Sequence, residues 1–225
     1  MKVLELLPER VNRFILTTMK VDRSSPRKTG RPLSFDRETA LHQAMLVFWR
    51  HGYEATSLSD LTAAMGVTAP SIYTAFGDKK RLFLEAIDRY ISGPVTSESI
   101  ISEASTAREA AWGLLQAAAI GFTGTNTPPG CLLASSAISC SAAAADVQKA
   151  LAVIRRKIEM RLKNKIVQAV QNGEMGAEID AEATAAHIMA VIQGMSTLAR
   201  DGATREKLMR VVAAAIAMWP KSRRR

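Results

Sequence analysis

Ser57-Leu58-Ser59-Asp60-Leu61-Thr62-Ala63-Ala64-Met65-Gly66-Val67-Thr68-Ala69-Pro70-Ser71-Ile72-Tyr73-Thr74-Ala75-Phe76 reads as two short helices joined by a tight turn at a glycine. Ser57 carries a hydroxyl suited to capping a helix N-terminus, and Asp60 stands three residues on as a capping-box partner. Leu58, Leu61 and Met65 repeat at helical spacing and give the first helix one apolar stripe. Gly66 stops that helix, since glycine enters the left-handed region without steric cost. Thr68 can cap the next helix, and Pro70 is tolerated in its first turn, where the N–H has no partner anyway. Ile72 and Phe76 lie one turn apart and mark the inner face. This is the layout of a helix-turn-helix, which puts its second helix into the major groove of DNA.

The flanks continue the helical pattern. Leu41, Met45, Phe48 and Trp49, with Ala44 between them, predict a helix that stops at Gly52. Asp78 caps a helix carrying Leu82, Phe83, Ala86, Ile87 and Tyr90, which ends before Gly93-Pro94. Beyond Pro94 the composition turns alanine-rich, with helices predicted over 106–122, 132–140, 146–171, 181–199 and 204–219. No strand-like alternation and no repeat stand out. The fold class predicted is all-α, with about nine helices. Residues 1–33 read as a flexible basic arm containing a short amphipathic stretch over 4–16. Residues 34–93 read as the helix-turn-helix domain (motif at about 57–76), 94–220 as a second helical domain and 221–225 as a basic tail. Met1 and Met19 are both left open as starts.

The 225 residues are 48% hydrophobic, which excludes a disordered chain. No apolar run reaches the roughly 18 residues of a membrane helix, and no signal peptide is evident, so a cytoplasmic protein without membrane contact is expected. The net charge of +9 lies entirely on the two ends: +5 on residues 1–33 and +4 on 221–225, with 18 residues of each sign between. Basic tails attract polyanions by counterion release, although charge alone leaves a merely solubilising role open. Cys131 and Cys140 are too few for a disulfide framework, and placed on one helix they would face opposite ways, roughly 13 Å apart along its axis. His42, His51 and His187 are isolated, so no metal site, no cofactor and no catalytic constellation is expected.

Several residues favour a nucleic acid. Tyr73 follows the inward Ile72 and turns its phenol away from the core, toward a phosphate. Thr68 at one helix N-terminus, and Thr56 and Ser57 at another, offer hydroxyls beside exposed N–H groups. Lys79, Lys80 and Arg81 in the first turn of the fourth helix oppose its macrodipole, which suggests an outside anion. Residues 35–90 resemble the DNA-binding domain of the tetracycline-repressor (TetR) family of bacterial transcription regulators. The match is carried by Ala40-Leu41 through Phe48, Gly52-Tyr53, Ala55-Thr56-Ser57-Leu58, Met65-Gly66-Val67-Thr68, Ser71-Ile72-Tyr73 and Phe76-Gly77-Asp78-Lys79. The resemblance implies phosphate contacts from Thr56, Ser57, Thr68, Tyr73 and Lys79, and base contacts from Ala69, Pro70, Ser71 and Thr74. Many members carry a long polar or basic residue where this chain has Ala69 or Thr74. The exposed face of this helix holds no Arg, Lys, Asn or Gln, so readout is expected through thymine methyls, single hydroxyl bonds and DNA shape. The arm residues Arg27, Lys28 and Arg31 are candidates for a minor groove.

The resemblance further implies that the second domain binds an inducer and forms a homodimer on a double-stranded operator. Ala183, Ala186, Ala190, Gly194 and Leu198 on one helix, with Leu208, Val211, Val212, Ala215 and Trp219 on the next, make small-apolar faces suited to a four-helix interface. Trp112, Leu115, Phe122, Met160, Met189 and Met195 are large or adaptable apolar residues; the first five are the pocket candidates for an unidentified small-molecule inducer, with ordinary core as the competing reading. Cys131, after Pro128-Pro129-Gly130, starts a predicted helix, where a thiol pKa falls and a reactive sensor thiolate is favoured; a buried small hydrophobe is the competing reading. A ligand-responsive repressor is the function expected. The alternatives are a DNA-binding or interaction protein without sequence preference, or an enzyme in the helical half.

Overall fold

In a computed structural model the described residues are 35–138 and 140–220. The arm residues Arg27, Lys28 and Arg31, the amphipathic stretch 4–16 and the tail 221–225 lie outside them. The described residues hold ten α-helices and one 3-10 turn, and no strand. Four N-terminal helices run α1 Arg37–His51, α2 Leu58–Met65, α3 Ala69–Phe76 and α4 Lys79–Ile91. Then follow α5 Ser97–Glu103, α6 Ala107–Gly121, α7 Leu132–Ser135, the 3-10 turn Ala142–Ala144, α8 Ala145–Gln171, α9 Ala181–Arg200 and α10 Arg205–Ala217. The count exceeds the nine expected by α5, a Ser- and Glu-rich helix with two isoleucines that the sequence reading does not single out.

Local signals set the helix ends. Asp36 caps α1 by accepting from the N–H groups of Glu38 and Thr39, and Ser57 with Asp60 forms the full capping box of α2. Asp78 accepts from the Arg81 N–H at 2.7 Å to start α4. Gly66 adopts φ 66°, ψ 30° and reverses the chain between α2 and α3. Thr68 occupies the N-cap of α3 but makes no capping bond with its side chain, contrary to expectation; its hydroxyl pairs with that of Ser71 at 2.9 Å.

α1 packs on α2 and α4, and α3 packs against α2 and α4. Ala44, Phe48, Leu61, Ile72, Leu82, Phe83, Ala86 and Ile87 fill this core almost without exposure, and Phe48 meets Phe83 edge-on at 5.0 Å. Removing most of such a buried side chain, as in Ile72→Ala, typically costs about 2–5 kcal/mol. In the C-terminal part α6 contacts α5, α8, α9 and α10, and α9 contacts α8 and α10. The expected helix over 132–140 is cut to Leu132–Ser135. Past Ser135 the chain leaves the helix to pair with the N-terminal part: the Ser136 carbonyl accepts from the Tyr53 N–H at 2.8 Å. Cys131 and Cys140 therefore do not share a helix, contrary to the expected placement, and both are free thiols.

Candidate nucleic-acid interface

α3 is an eight-residue amphipathic helix whose faces are cleanly sorted. Ile72 and Phe76 are buried, whereas Pro70, Tyr73 and Thr74 are exposed, with Ala69 and Ser71 half-buried beside them. Tyr73 is 53% exposed on the outer face of α3. The C-terminal end of α3 is held by Arg37, which sequence spacing did not single out. Its guanidinium lies 4.3 Å over the Phe76 ring, donates to the Ala75 carbonyl at 3.2 Å and pairs with Glu85 at 2.6 Å. A cation on the last carbonyls of a helix is favourably placed, so Arg37 fixes the pitch of α3 against α1 and α4.

The other expected phosphate contacts are distributed differently. Ser57 is exposed at the N-terminus of α2, although its hydroxyl donates to Asp60 at 2.6 Å. Thr56 is a correction: it is fully buried, and its hydroxyl donates to the Gly52 carbonyl at 2.6 Å, so that group cannot reach DNA. Lys79 lies 4.7 Å over the Tyr53 ring and donates to the Glu54 carbonyl at 3.4 Å. Burial draws its pKa down, with Glu54 and Asp60 opposing. Lys80 does not wait for an outside anion: it pairs with Asp146 of α8, which raises the lysine and lowers the carboxyl. Arg81 is exposed.

This same edge joins the two parts of the chain. Glu54 accepts from both the N–H and the hydroxyl of Ser141, at 3.0 and 2.8 Å, and those bonds hold its carboxyl below the usual value. Trp49 at the end of α1 is gripped twice, donating its indole N–H to the Gly130 carbonyl at 3.1 Å and accepting at its own carbonyl from Arg200 at 2.6 Å.

Comparison with known proteins agrees with this geometry. The description "Bacterial regulatory proteins, tetR family" matches residues 40–86, and "Tetracyclin repressor-like, C-terminal domain" matches 112–215. HTH-type transcriptional repressor ComR of Escherichia coli (strain K12) is 36% identical over 194 residues, covering 85% of this chain and 92% of ComR. The chain belongs to the TetR family. As a TetR-family protein it is a DNA-binding transcription regulator with α2–α3 as its helix-turn-helix. A solved structure of the TetR family regulator CifR, a cysteine mutant complexed with 26-base-pair double-strand operator DNA, is 36% identical with TM-score 0.80. That match covers 85% of this chain and all of the CifR chain. A TetR regulator from Rhodococcus sp. RHA1 is 33% identical with TM-score 0.56, over 83% of this chain and all of its own.

In the C-terminal half of this TetR chain the expected pocket residues are not gathered together. Leu115 and Met189 are packed in the interior, and the half-buried Trp112 donates its indole N–H to Gln116 at 3.2 Å. Met160 is a correction: it is 59% exposed on α8 and lines no interior pocket. Phe122 does line a cleft of about 470 Å³, with Thr123, Thr125, Pro129, Ala203 and Arg205 around it.

Cys131 precedes a helix of four residues only, and burial pushes its thiol above the usual range despite the Tyr90 hydroxyl donating to Sγ at 3.4 Å. The expected low-pKa thiolate is thereby corrected.

Of the expected dimer residues, Leu208, Val212, Ala215 and Trp219 point into the chain's own core, and Ala186, Leu198 and Val211 are half-buried. Ala190 and Gly194 are exposed on α9, as are Ala183 beside them and Ala213, Ala214 and Ala217 on α10. The open small-residue surface is thus turned from the one expected on α10. No helix among the described residues is long and apolar enough to cross a membrane, and none of their side-chain clusters is placed to hold a metal ion.

Proposed function

We propose that this chain is a homodimeric, cytoplasmic repressor that leaves its operator when a small molecule occupies the C-terminal helices. The observation that carries the reading is α3 itself: Pro70, Tyr73 and Thr74 face out over a buried Ile72–Phe76 face, on a chain of which 85% aligns with a protein named a transcriptional repressor. Ser57, Thr68, Tyr73 and Lys79 contact phosphates, and Ala69, Pro70, Ser71 and Thr74 lie against base edges. One such helix reads a few base pairs, and a two-fold pair spaced for successive major grooves reads an operator. The exposed Ala183, Ala190 and Gly194 of α9 and Ala213 and Ala217 of α10 supply the pairing surface, because small residues let helices approach closely.

The Phe122 cleft is the proposed inducer site. Its walls are the loop after α6 and the α9–α10 turn, and each wall continues into a partner of Trp49: Pro129 into Gly130, and Ala199 into Arg200. A molecule that spreads these walls pulls on the end of α1 and so on the reading head. A coupling of about 1–3 kcal/mol is ordinary for such linkage. The relatives are transcription regulators, and the proposal assigns no catalytic group.

The test is the stoichiometry of the complex with an operator fragment, measured by light scattering after size exclusion. Two chains per two-fold site is the expected result. A single chain per fragment overturns the dimer.

A further inference from the structure

The hydroxyls on the recognition helix are mostly committed within the protein. Thr74 donates its one hydroxyl proton to the Pro70 carbonyl at 2.9 Å, and the hydroxyls of Thr68 and Ser71 are bonded to each other at 2.9 Å. No Arg, Lys, Asn or Gln occurs between Ala69 and Phe76, so no bidentate hydrogen-bond pair with a base is available from α3. Beyond the one hydroxyl proton that the Thr68–Ser71 pair leaves unused, the exposed residues of α3 offer mainly carbon: the Pro70 ring and Thr74, whose hydroxyl is turned to the helix, with the half-buried Ala69 beside them and the Tyr73 phenol suited to the backbone. The major groove of DNA offers one apolar group, the 5-methyl of thymine.

We infer that α3 selects its operator chiefly through thymine 5-methyl groups packed against Pro70, Thr74 and Ala69. The inference rests on the DNA-binding reading of α3 and narrows it. Thr74 is a specificity residue by its methyl rather than its hydroxyl, because the hydroxyl is turned back on the helix. The bond to the Pro70 carbonyl fixes the Thr74 rotamer, so its methyl is presented without further loss of rotamer freedom on binding.

The experiment uses the full-length chain and an operator obtained by selection from random duplexes. Each thymine is replaced in turn by deoxyuridine, which removes the 5-methyl and leaves every hydrogen-bonding group in place. Affinity is read by fluorescence anisotropy. At the contacted thymines, in symmetric positions of the two half-sites, each replacement is expected to weaken binding about fourfold, the equivalent of one buried methyl. Thr74→Ser keeps the hydroxyl and removes the methyl, so it is expected to abolish the deoxyuridine effect at its own position. Thr74→Val keeps the methyl and is expected to preserve that effect. Specific binding that is indifferent to deoxyuridine throughout overturns the methyl readout and leaves shape as the source of specificity. An equal deoxyuridine effect in wild type and Thr74→Ser overturns the assignment to Thr74. Failure to select any operator overturns the sequence-specific reading along with it.

Discussion

Tyr73 and His42 show how single side chains carry different parts of the account. The Tyr73 ring stands out from α3 over a buried neighbour, and its hydroxyl is the group assigned to a phosphate. Tyr73→Phe removes that hydroxyl alone, and a hydrogen bond to a charged group is worth roughly ten- to a hundredfold in affinity. The loss is expected to be equal on operator and on unrelated DNA, because a phosphate contact carries no sequence information; paired titrations on the two duplexes check this. His42 sets a pH dependence. Burial, followed by the charge of Arg89, lowers its pKa from the usual 6.5, and its buried Nδ1 has no hydrogen-bond partner among the described residues. The unfolded chain therefore takes up a proton near pH 6.5 that the fold refuses until a lower pH. Stability falls as pH drops through that window. Thermal melts between pH 7 and 5 are expected to show this slope, and His42→Gln is expected to flatten it. Glu54 and Asp146 act in a separate, more acidic window, since their lowered carboxyls stabilise the fold above their usual values of 4.5 and 3.8 and lose that effect as pH falls through the folded values.

Among the elements, Glu54 before α2 and Lys80 of α4 link the N-terminal helices to Ser141 and Asp146. Glu54–Ser141 and Lys80–Asp146 are exposed polar links, and such pairs contribute little to global stability. Asp146→Asn is therefore expected to leave the melting midpoint nearly unchanged. Backbone amide exchange should rise at residues 141–147, where the link to Lys80 opens locally; unchanged exchange there contradicts the role. The sequence exposed α1 to α4 well because their signals are local: Gly52, Ser57–Asp60, Gly66 and Asp78 each act within three or four residues of the helix end they set. It did not expose α5, whose seven residues acquire their burial from α6 and α8. Nor did it expose the end of α7, which is fixed by the pairing of Ser136 with Tyr53. Thr56 failed for a related reason: a hydroxyl before a helix serves the solvent or the preceding turn equally well, and here Gly52 takes it. Arg37 reaches Ala75 and Glu85, 38 and 48 residues away, and Lys80 reaches Asp146, 66 residues away; no periodicity records such partners.

At the scale of the whole molecule, the reading helix belongs to the N-terminal helices, and an exposed surface of small residues lies on α9 and α10. Apolar periodicity marks Leu208, Val212, Ala215 and Trp219 for burial without saying against what; they face inward, and the exposed alanines flank them. A charge on the exposed stripe is then the test of pairing. Ala190→Glu is expected to give a folded monomer by size exclusion with light scattering, and to lose operator affinity by two orders of magnitude or more as the second reading head is lost. The central claim is that two such heads read one specific sequence. It is tested most directly by titrating the purified chain onto a labelled DNA fragment from just upstream of its own gene, at physiological salt and with excess unrelated competitor. The account predicts a complex that survives the competitor and carries two chains. Binding stripped away by competitor on this and on every selected fragment, with a steep salt slope, would contradict it and mark a protein that holds DNA without reading it.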